Sequence, residues 1–221
     1  MTQRLYYTSQ SLTAEVNVIA CTAVDDHFEA KLDETPFHPQ GGGQPSDTGW
    51  LGDIDVLAVR LAGDHVVHIT TMPVPLGRVE ARVNAVNRRL HAHLHSAGHL
   101  IGAIGERFGW QPVKAHHWPG ESRVEFVPGG DVRALDAAQL HAEFEALRAD
   151  DLPVRMTLNE GGHRQIGFGA FAAYGCGGTH VSSTGELHGL RGLNIKEKKG
   201  RLIVQYDVLA GTAPEAKVIG R

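Results

Sequence analysis

"NAVNRRLHAHLHSAGHLIGAIGERFG", residues 84 to 109, decides how the rest of the chain is read. Val86, Leu90, Leu94, Ala97, Ile101, Ile104 and Phe108 recur every three or four positions, the period of an amphipathic helix. Asn84 suits the N-cap, because its side-chain oxygen can accept from the first free amides, and Gly109 suits the stop. The spacing predicts a helix of about six turns. At about 100° per residue, His91, His95 and His99 fall roughly 100 to 180° from the centre of the apolar stripe. By phase they form a separate face and are not core residues. Gly98 and Gly102 flank that face, so a ligand or another chain segment can approach the backbone there.

His95 and His99, four apart, point the same way and can reach one ion together. A solvated, histidine-rich face gives the same spacing, so the pair alone is weak. "GCGGTH", residues 175 to 180, strengthens it. Cys176 and His180 are separated by Gly177, Gly178 and Thr179, a loop that can bend sharply. Together the pairs offer three nitrogens and one sulfur, a set suited to zinc. Helix and loop must then converge in tertiary structure. Four bound protein ligands would close the site, whereas catalysis needs one position open or exchangeable, and both arrangements stay open. A single thiolate leaves the ion net positive and able to polarise a carbonyl or acidify a water. No glutamate follows His95, so the base of HExxH metalloproteases is missing and that kind of peptide hydrolysis is disfavoured.

Outward from the helix, residues 14 to 35 and 54 to 70 read as strands, with the Gly- and Pro-dense "TPFHPQGGGQPSDTGWLG" as a loop system between them. The first third is a small β domain. "MPVPLG", residues 72 to 77, marks a junction, followed by a short strand at Val79 to Val83. A second helix is expected from Asp136 to about Ala149, then mostly strand and turn, with a hairpin around Lys199 and Gly200.

The 221 residues are 42% hydrophobic and 21% charged without low-complexity tracts, as in a folded globular protein. A net charge of -4 argues against a positive coat for nonspecific nucleic-acid binding but leaves room for a local basic patch. No apolar run approaches the roughly 18 residues that cross a bilayer, and "MTQRLYYTSQ" lacks the apolar stretch of a signal peptide. The expectation is a cytoplasmic protein. Cys21 and Cys176 do not make a disulfide scaffold, and Cys21 in "VIACTAV" reads as a buried small hydrophobe. Six of the 14 histidines fall between 91 and 117, within periodic sequence, which excludes a tag.

Several stretches together resemble the editing domain of alanyl-tRNA synthetase and its freestanding relatives, the AlaX proteins. They are "LDETPFHPQGGGQPSDTGWL" at 32 to 51, "RRLHAHLHSAGHL" at 88 to 100, "CGGTHVSSTGEL" at 176 to 187 and "GLNIKEKKGRLIVQYDV" at 192 to 208. The resemblance covers nearly the whole chain, and no segment resembles a class II synthetase core. It implies the medium-length form and an α+β fold. A small N-terminal β-barrel-like domain with the GGGQ loop spans 1–77, and a zinc-bearing α+β editing domain spans 78–221.

The implied activity is trans-editing: zinc-dependent hydrolysis, without ATP, of the ester joining serine or glycine to the alanine tRNA. No stable protein partner and no membrane are implied. The resemblance assigns one zinc ion to His95, His99, Cys176 and His180. It turns Thr35 toward the aminoacyl moiety, where it could bond a serine hydroxyl. Gly43 and Gln44 are expected at the substrate, Gln44 touching the terminal adenosine or supporting the pocket, although a bare GGGQ is also a tight turn. Relatives often carry a glutamine after the helix where His116 and His117 stand; His116 is assigned to the pocket, although a surface pair fits the sequence equally well. Gly175 stands where the family commonly has proline.

Lys196, Lys198, Lys199 and Arg201 form either a solvated turn or a contact to acceptor-stem phosphates, which would position RNA without reading its sequence. Arg88 and Arg89 are similar candidates. No Asp or Glu adjoins the ligands, so no catalytic side chain is assigned beyond the zinc site. Positioning and charge stabilisation could suffice for an ester. The alternatives are a zinc-stabilised RNA-binding module without hydrolysis and a hydrolase of small aminoacyl compounds.

Overall fold

The computed structural model describes residues 1–161 and 163–209, so Gly162 and the last part of the expected second domain, 210–221, lie outside the described residues. Before the long helix come strands Gln3–Arg4 (β1), Thr13–Val24 (β2), His27–Leu32 (β3), Glu34–Thr35 (β4), Gly49–Leu51 (β5), Ile54–Ala62 (β6), His65–Thr70 (β7) and Gly77–Val83 (β8). Along β2, Val16 and Val18 turn inward while Glu15 turns out, the alternation of a half-buried strand. Six strands hydrogen-bond in the order β2-β3-β7-β6-β5-β8, and β8 returns to β2, so the sheet closes on itself. Closure leaves those strands no free edge. Inside lie Val16, Val18, Ala30, Leu32, Phe37 and Leu51, among others.

The last strand of this ring bears on the expected division at 77/78. β8 pairs with both β2 and β5, and Ala81 and Val83 are buried in the same core. Residues 78 to 83 therefore lie in the first sheet, because the prolines of 72–77 precede its closing strand. Cys21 is half-buried, packed against this core and accepting from the Val74 amide at 3.4 Å.

The long helix runs Ala85–Arg107 (α1), with Asn84 accepting from the Val86 and Asn87 amides. After it come Trp110–His116 (β9), Arg123–Pro128 (β10), Ala137–Ala149 (α2), Val154–Leu158 (β11), Arg164–Phe168 (β12), Tyr174–Gly175 (β13), Leu190–Lys198 (β14) and Arg201–Val208 (β15). Asp136 and Gln139 form a capping box at α2. The β14–β15 turn places Lys199 and Gly200 at φ 53° and 70°, the left-handed pair of a two-residue hairpin. Strands β14-β15-β10-β9 make one sheet, and β11-β12-β13 make a smaller one.

Leu94, Ala97, Leu100, Ile101 and Ile104 of α1 pack with Phe126, Leu140, Phe144 and Val204 in a second core. The predicted stripe is therefore the core face. The opposite face is not solvated, however: His91, His93 and His95 are buried too. Two surroundings enclose the helix, and a helix enclosed on both sides is buried nearly all round whatever its pattern. Arg88, on its first turns, is buried against Asp47 and donates to the Pro36 carbonyl of the barrel loop. That makes it a strut between the halves instead of an RNA contact, while Arg89 is exposed. The chain is thus a mixed α+β, sheet-rich protein with two α-helices among the described residues.

Candidate metal centre

Two elements bring the four expected ligands together. α1 supplies His95 and His99 one turn apart, and the loop after β13 supplies Cys176 and His180. One ligand atom from each lies within 4.8 Å of the others. Cys176 Sγ is 3.4 Å from His95 Nε2 and 3.2 Å from His180 Nε2. Tetrahedral zinc with ordinary bond lengths separates sulfur and nitrogen ligands by about 3.5 Å, close to both of these sulfur–nitrogen distances.

The loop's glycines and an arginine explain how it gets so close. A Cβ at Gly178 would collide with the His95 ring and stand 2.7 Å from Gln44 Oε1. Arg164 Nη1 donates to the carbonyls of Cys176 and Gly178, each at 2.9 Å, and clamps the turn.

Hydrogen bonds then aim the rings. His95 Nδ1 lies 2.7 Å from Gln44 Oε1, an oxygen that can only accept, so Nδ1 carries the proton and Nε2 keeps its lone pair toward Cys176. The same Oε1 accepts from the Thr179 amide at 3.0 Å, and Gln44 Nε2 donates to Thr179 Oγ1 at 2.9 Å. His180 Nδ1 meets Ser96 Oγ at 3.0 Å, which leaves its Nε2 for the cluster. His99 Nδ1 is buried without a partner, an orphan that needs explaining.

Burial first, and the neighbouring imidazoles second, push His95 and His180 well below the usual histidine range. Burial pushes His99 down to about 4. All three rings are therefore neutral near pH 7, the form that binds metal. Burial raises the Cys176 thiol, which must lose its proton to ligate. Donor set, spacing and orphaned nitrogen fit a single metal ion.

His95, His99 and Cys176 of the cluster line one side of a cleft of 480 Å³, a volume suited to a small-molecule moiety, with His180 behind them. Gly42, Gly98, His117, Glu106 and Lys114 line other parts of it. His117 is buried and stacks on His95, ring centroids 4.3 Å apart.

Other expected residues are distributed differently. Gln44 is fully buried and holds a ligand ring and the CGGTH loop, not an open pocket wall. Gly43 has φ 77°, and its carbonyl accepts from the His117 amide at 2.8 Å. The GGGQ segment is indeed a tight turn, with Gly41 and Gln44 bonded both ways, and that turn delivers Gln44.

Thr35 is fully buried and is not among the residues lining the cleft. Its hydroxyl lies 2.8 Å from His68 Nε2 and accepts from the Phe37 amide, so the expected aminoacyl contact is replaced by a barrel-core bond. His116 turns away, parallel to Trp118 at 5.7 Å, and it is His117 that faces the cleft. His116 ends β9, and His117, the first residue beyond it, is held by its amide bond to the Gly43 carbonyl.

Lys196, Lys198, Lys199 and Arg201 are exposed. Their strands β14 and β15 lie across the sheet from β9, β14 being three strand spacings or about 14 Å from it. Sequence reasoning missed Ser96 and Tyr206. Ser96, placed between the two helical ligands, is the kind of short hydroxyl that could have suggested a ring partner.

Fold and site together define an α+β protein with a His3Cys cluster, able to bind one metal ion, at the wall of a ligand-sized cleft. No family model matches the chain. It is 32% identical to an alanine–tRNA ligase of Halorubrum lacusprofundi, over 88% of this chain and 24% of the ligase. It is 31% identical to the alanine–tRNA ligase of Frankia casuarinae, over 91% of this chain and 25% of that protein. With the alanyl-tRNA editing protein Aarsd1 of Bos taurus it shares 29% identity, over 78% of this chain and 43% of the relative. The chain thus spans about a quarter of the ligases' length and under half of the editing protein's. Its homologues are the editing region of alanyl-tRNA synthetases and the Aarsd1 alanyl-tRNA editing proteins, as those of an AlaX-type editing protein would be.

Proposed function

We propose that this protein is a trans-editing hydrolase that deacylates alanine tRNA carrying serine or glycine, with one zinc ion held by His95, His99, Cys176 and His180. The observation that carries the reading is the convergence of those four side chains, three of which (His95, His99 and Cys176) line a 480 Å³ cleft, in a chain whose relatives include proteins named for alanyl-tRNA editing. Zinc bound there would act as a Lewis acid, polarising an ester carbonyl or lowering the pKa of a water.

The chain's own residues do the rest. Gln44 fixes the tautomer of the His95 ring and Ser96 orients the His180 ring, the usual work of hydrogen-bond partners around a metal. Gly42 and Gly98 keep the cleft wall low, so that the aminoacyl end of a tRNA can approach. Among the described residues no carboxylate hydrogen-bonds to the four ligands, which suits an ester, whose leaving group needs less help than an amide's. The barrel's contribution is to deliver Gln44, and the helix, the sheet and the CGGTH loop carry the chemistry. Lys196, Lys198, Lys199 and Arg201 are assigned to phosphates outside the cleft, where they would position the tRNA and make binding salt-dependent. The cytoplasm is the compartment in which that partner is met.

A second reading has one observation in its favour: four protein donors can complete a tetrahedral shell, as in a structural site. The protein would then be a zinc-stabilised RNA-binding module. Turnover separates the two. Zinc-loaded protein should release serine from Ser-tRNA(Ala) quickly while sparing Ala-tRNA(Ala), and a His95→Ala, Cys176→Ala double variant should not. If folded, metal-replete protein releases neither amino acid while chelation lowers its unfolding midpoint, the structural reading replaces this one.

A further inference from the structure

His117 lines the cleft but stands outside the ligand set. Its ring is held on every side but one. Nδ1 lies 2.7 Å from the Tyr206 hydroxyl, and that hydroxyl lies 2.9 Å from the Leu94 carbonyl. A carbonyl only accepts, so the phenol's single proton goes to Leu94, and the phenol oxygen accepts from His117 Nδ1–H. Nε2 therefore keeps the lone pair.

The ring's position is equally determined. The His117 amide donates to the Gly43 carbonyl, and the ring lies at 23° to the His95 ring beneath it. A Cβ at Gly98 would stand 2.6 Å from Nδ1 and 2.5 Å from the Tyr206 oxygen, and one at Gly43 would stand 3.2 Å from Cδ2. Neither glycine can gain a side chain without moving the imidazole. Among the described residues Nε2 has no hydrogen-bond partner, and an inward-facing acceptor kept in one tautomer and left unpaired is ready for a donor on a ligand.

We propose that His117 Nε2 accepts a hydrogen bond from the terminal ribose hydroxyl beside the aminoacyl ester, which makes His117 a substrate-positioning residue. The inference rests on the proposed ester hydrolysis. Two donors on every such substrate lie near the ester: the α-ammonium and the neighbouring ribose hydroxyl. His117 is surrounded by His95 and His99 of α1, His116 beside it and Tyr206 of β15, none of which is an anion. A cation there would face a histidine cluster that itself gathers around a cation site, whereas a neutral hydroxyl meets no such repulsion. Glu106, the carboxylate an ammonium would prefer, lies two turns further along α1 from His99, about 10 Å away.

The test compares zinc-loaded wild type, His117→Phe and Tyr206→Phe on two seryl-tRNA substrates, both esterified on the 3′ oxygen, one with the terminal 2′ hydroxyl and one with hydrogen there. The ratio of kcat/KM for the two substrates is compared across variants, which cancels the intrinsic effect of the hydroxyl on the ester. Wild type should favour the hydroxyl form by about tenfold more than His117→Phe does, in line with one neutral hydrogen bond. Tyr206→Phe, which frees the tautomer but keeps Nε2, should fall between them. Metal content should stay at one ion per chain in all three.

Affinity for non-hydrolysable 3′-seryl-amide adenosine analogues, with and without the 2′ hydroxyl, should show the same pattern. Equal discrimination by wild type and His117→Phe overturns the proposal, as does wild type that binds both analogues equally or neither. If His117→Phe fails to fold, Tyr206→Phe carries the comparison, and unchanged discrimination there counts against the assignment. A wild type that cleaves neither ester yet prefers the hydroxyl analogue would sink the editing reaction and leave the contact standing.

Discussion

His68 in the barrel and His95 on the long helix are both fully enclosed imidazoles, and they differ in what their second nitrogen does. His68 offers Nδ1 to the Ala30 carbonyl at 3.3 Å and meets the Thr35 hydroxyl with Nε2 at 2.8 Å, so both nitrogens are satisfied within the core. His95 satisfies Nδ1 with Gln44 and leaves Nε2 facing a thiol and the other histidines. The barrel imidazole of His68 completes both its nitrogens internally, whereas the helix and loop histidines direct one nitrogen each toward a common point. The lesson is that burial does not mark a functional histidine. What marks it is a lone pair held in place with no protein donor to receive it.

That contrast can be broken most forcefully by removing a ligand. His95→Ala or Cys176→Ala should lower metal affinity by more than the 10- to 100-fold typical of losing a mere supporting partner. Metal analysis after dialysis should show near-zero occupancy, and deacylation should vanish with it. His68→Leu should leave occupancy untouched, so equal metal loss in both variants would erase the distinction.

The next largest effect concerns acid. Burial holds His68 at about 4, below the usual 6.5, so between those values the unfolded chain takes up a proton that the native barrel refuses. Stability should therefore fall as pH drops below 6.5 and level off below 4, by about 3 kcal/mol from this residue. Urea midpoints of wild type and His68→Leu should converge on acidification over that window. Curves that stay parallel would mean that His68 is not the buried neutral group described.

Gln44→Ala sharpens the cleft side. Losing the acceptor that fixes the His95 tautomer should weaken metal binding by about 10- to 100-fold without abolishing it. A competition titration with a chelator of known affinity would measure this. Unchanged affinity would return Gln44 to the substrate-contact role expected from sequence.

Thr35→Val is the mildest. It removes a buried hydroxyl between His68 and the Phe37 amide and should cost about 1–2 kcal/mol of stability. Serine release and metal content should be unchanged. A selective loss of serine hydrolysis at full stability would restore Thr35 to the site.

Much of this molecule is legible in its sequence where a local rule governs it. The span of α1 follows from a 3.6-residue period and a capping asparagine. The β14–β15 hairpin follows from Lys199-Gly200, and the start of α2 from Asp136. The candidate cluster is legible as two i, i+4 pairs and as the set the family resemblance implies, although their convergence is a matter of tertiary packing.

Less legible are features that depend on what packs against what. Phase separates His95 from the apolar stripe of α1, but phase does not reveal that the barrel loop and CGGTH loop bury the second face as well. Nothing local in "DETPFHP" tells that His68, a strand away, engages the Thr35 hydroxyl. "AHHW" fits a surface pair as well as one inward histidine, and what turns His117 inward is its amide bond to the Gly43 carbonyl and its ring bond to Tyr206, neither of which is local in sequence. The strand after the "MPVPLG" junction reads in sequence as the opening of a new unit, and its pairing with β2 and β5 places it in the barrel.

The central claim is that helix, loop and Gln44 assemble a single one-ion centre. X-ray absorption at the zinc edge, on wild-type protein reconstituted and dialysed to constant metal content, tests it most directly. One ion per chain is expected, with one sulfur and three imidazole nitrogens in its shell, and Cys176→Ala taken through the same dialysis should keep almost no zinc signal. Stoichiometric zinc without sulfur in the wild-type shell, or a spectrum indifferent to Cys176→Ala, would contradict it.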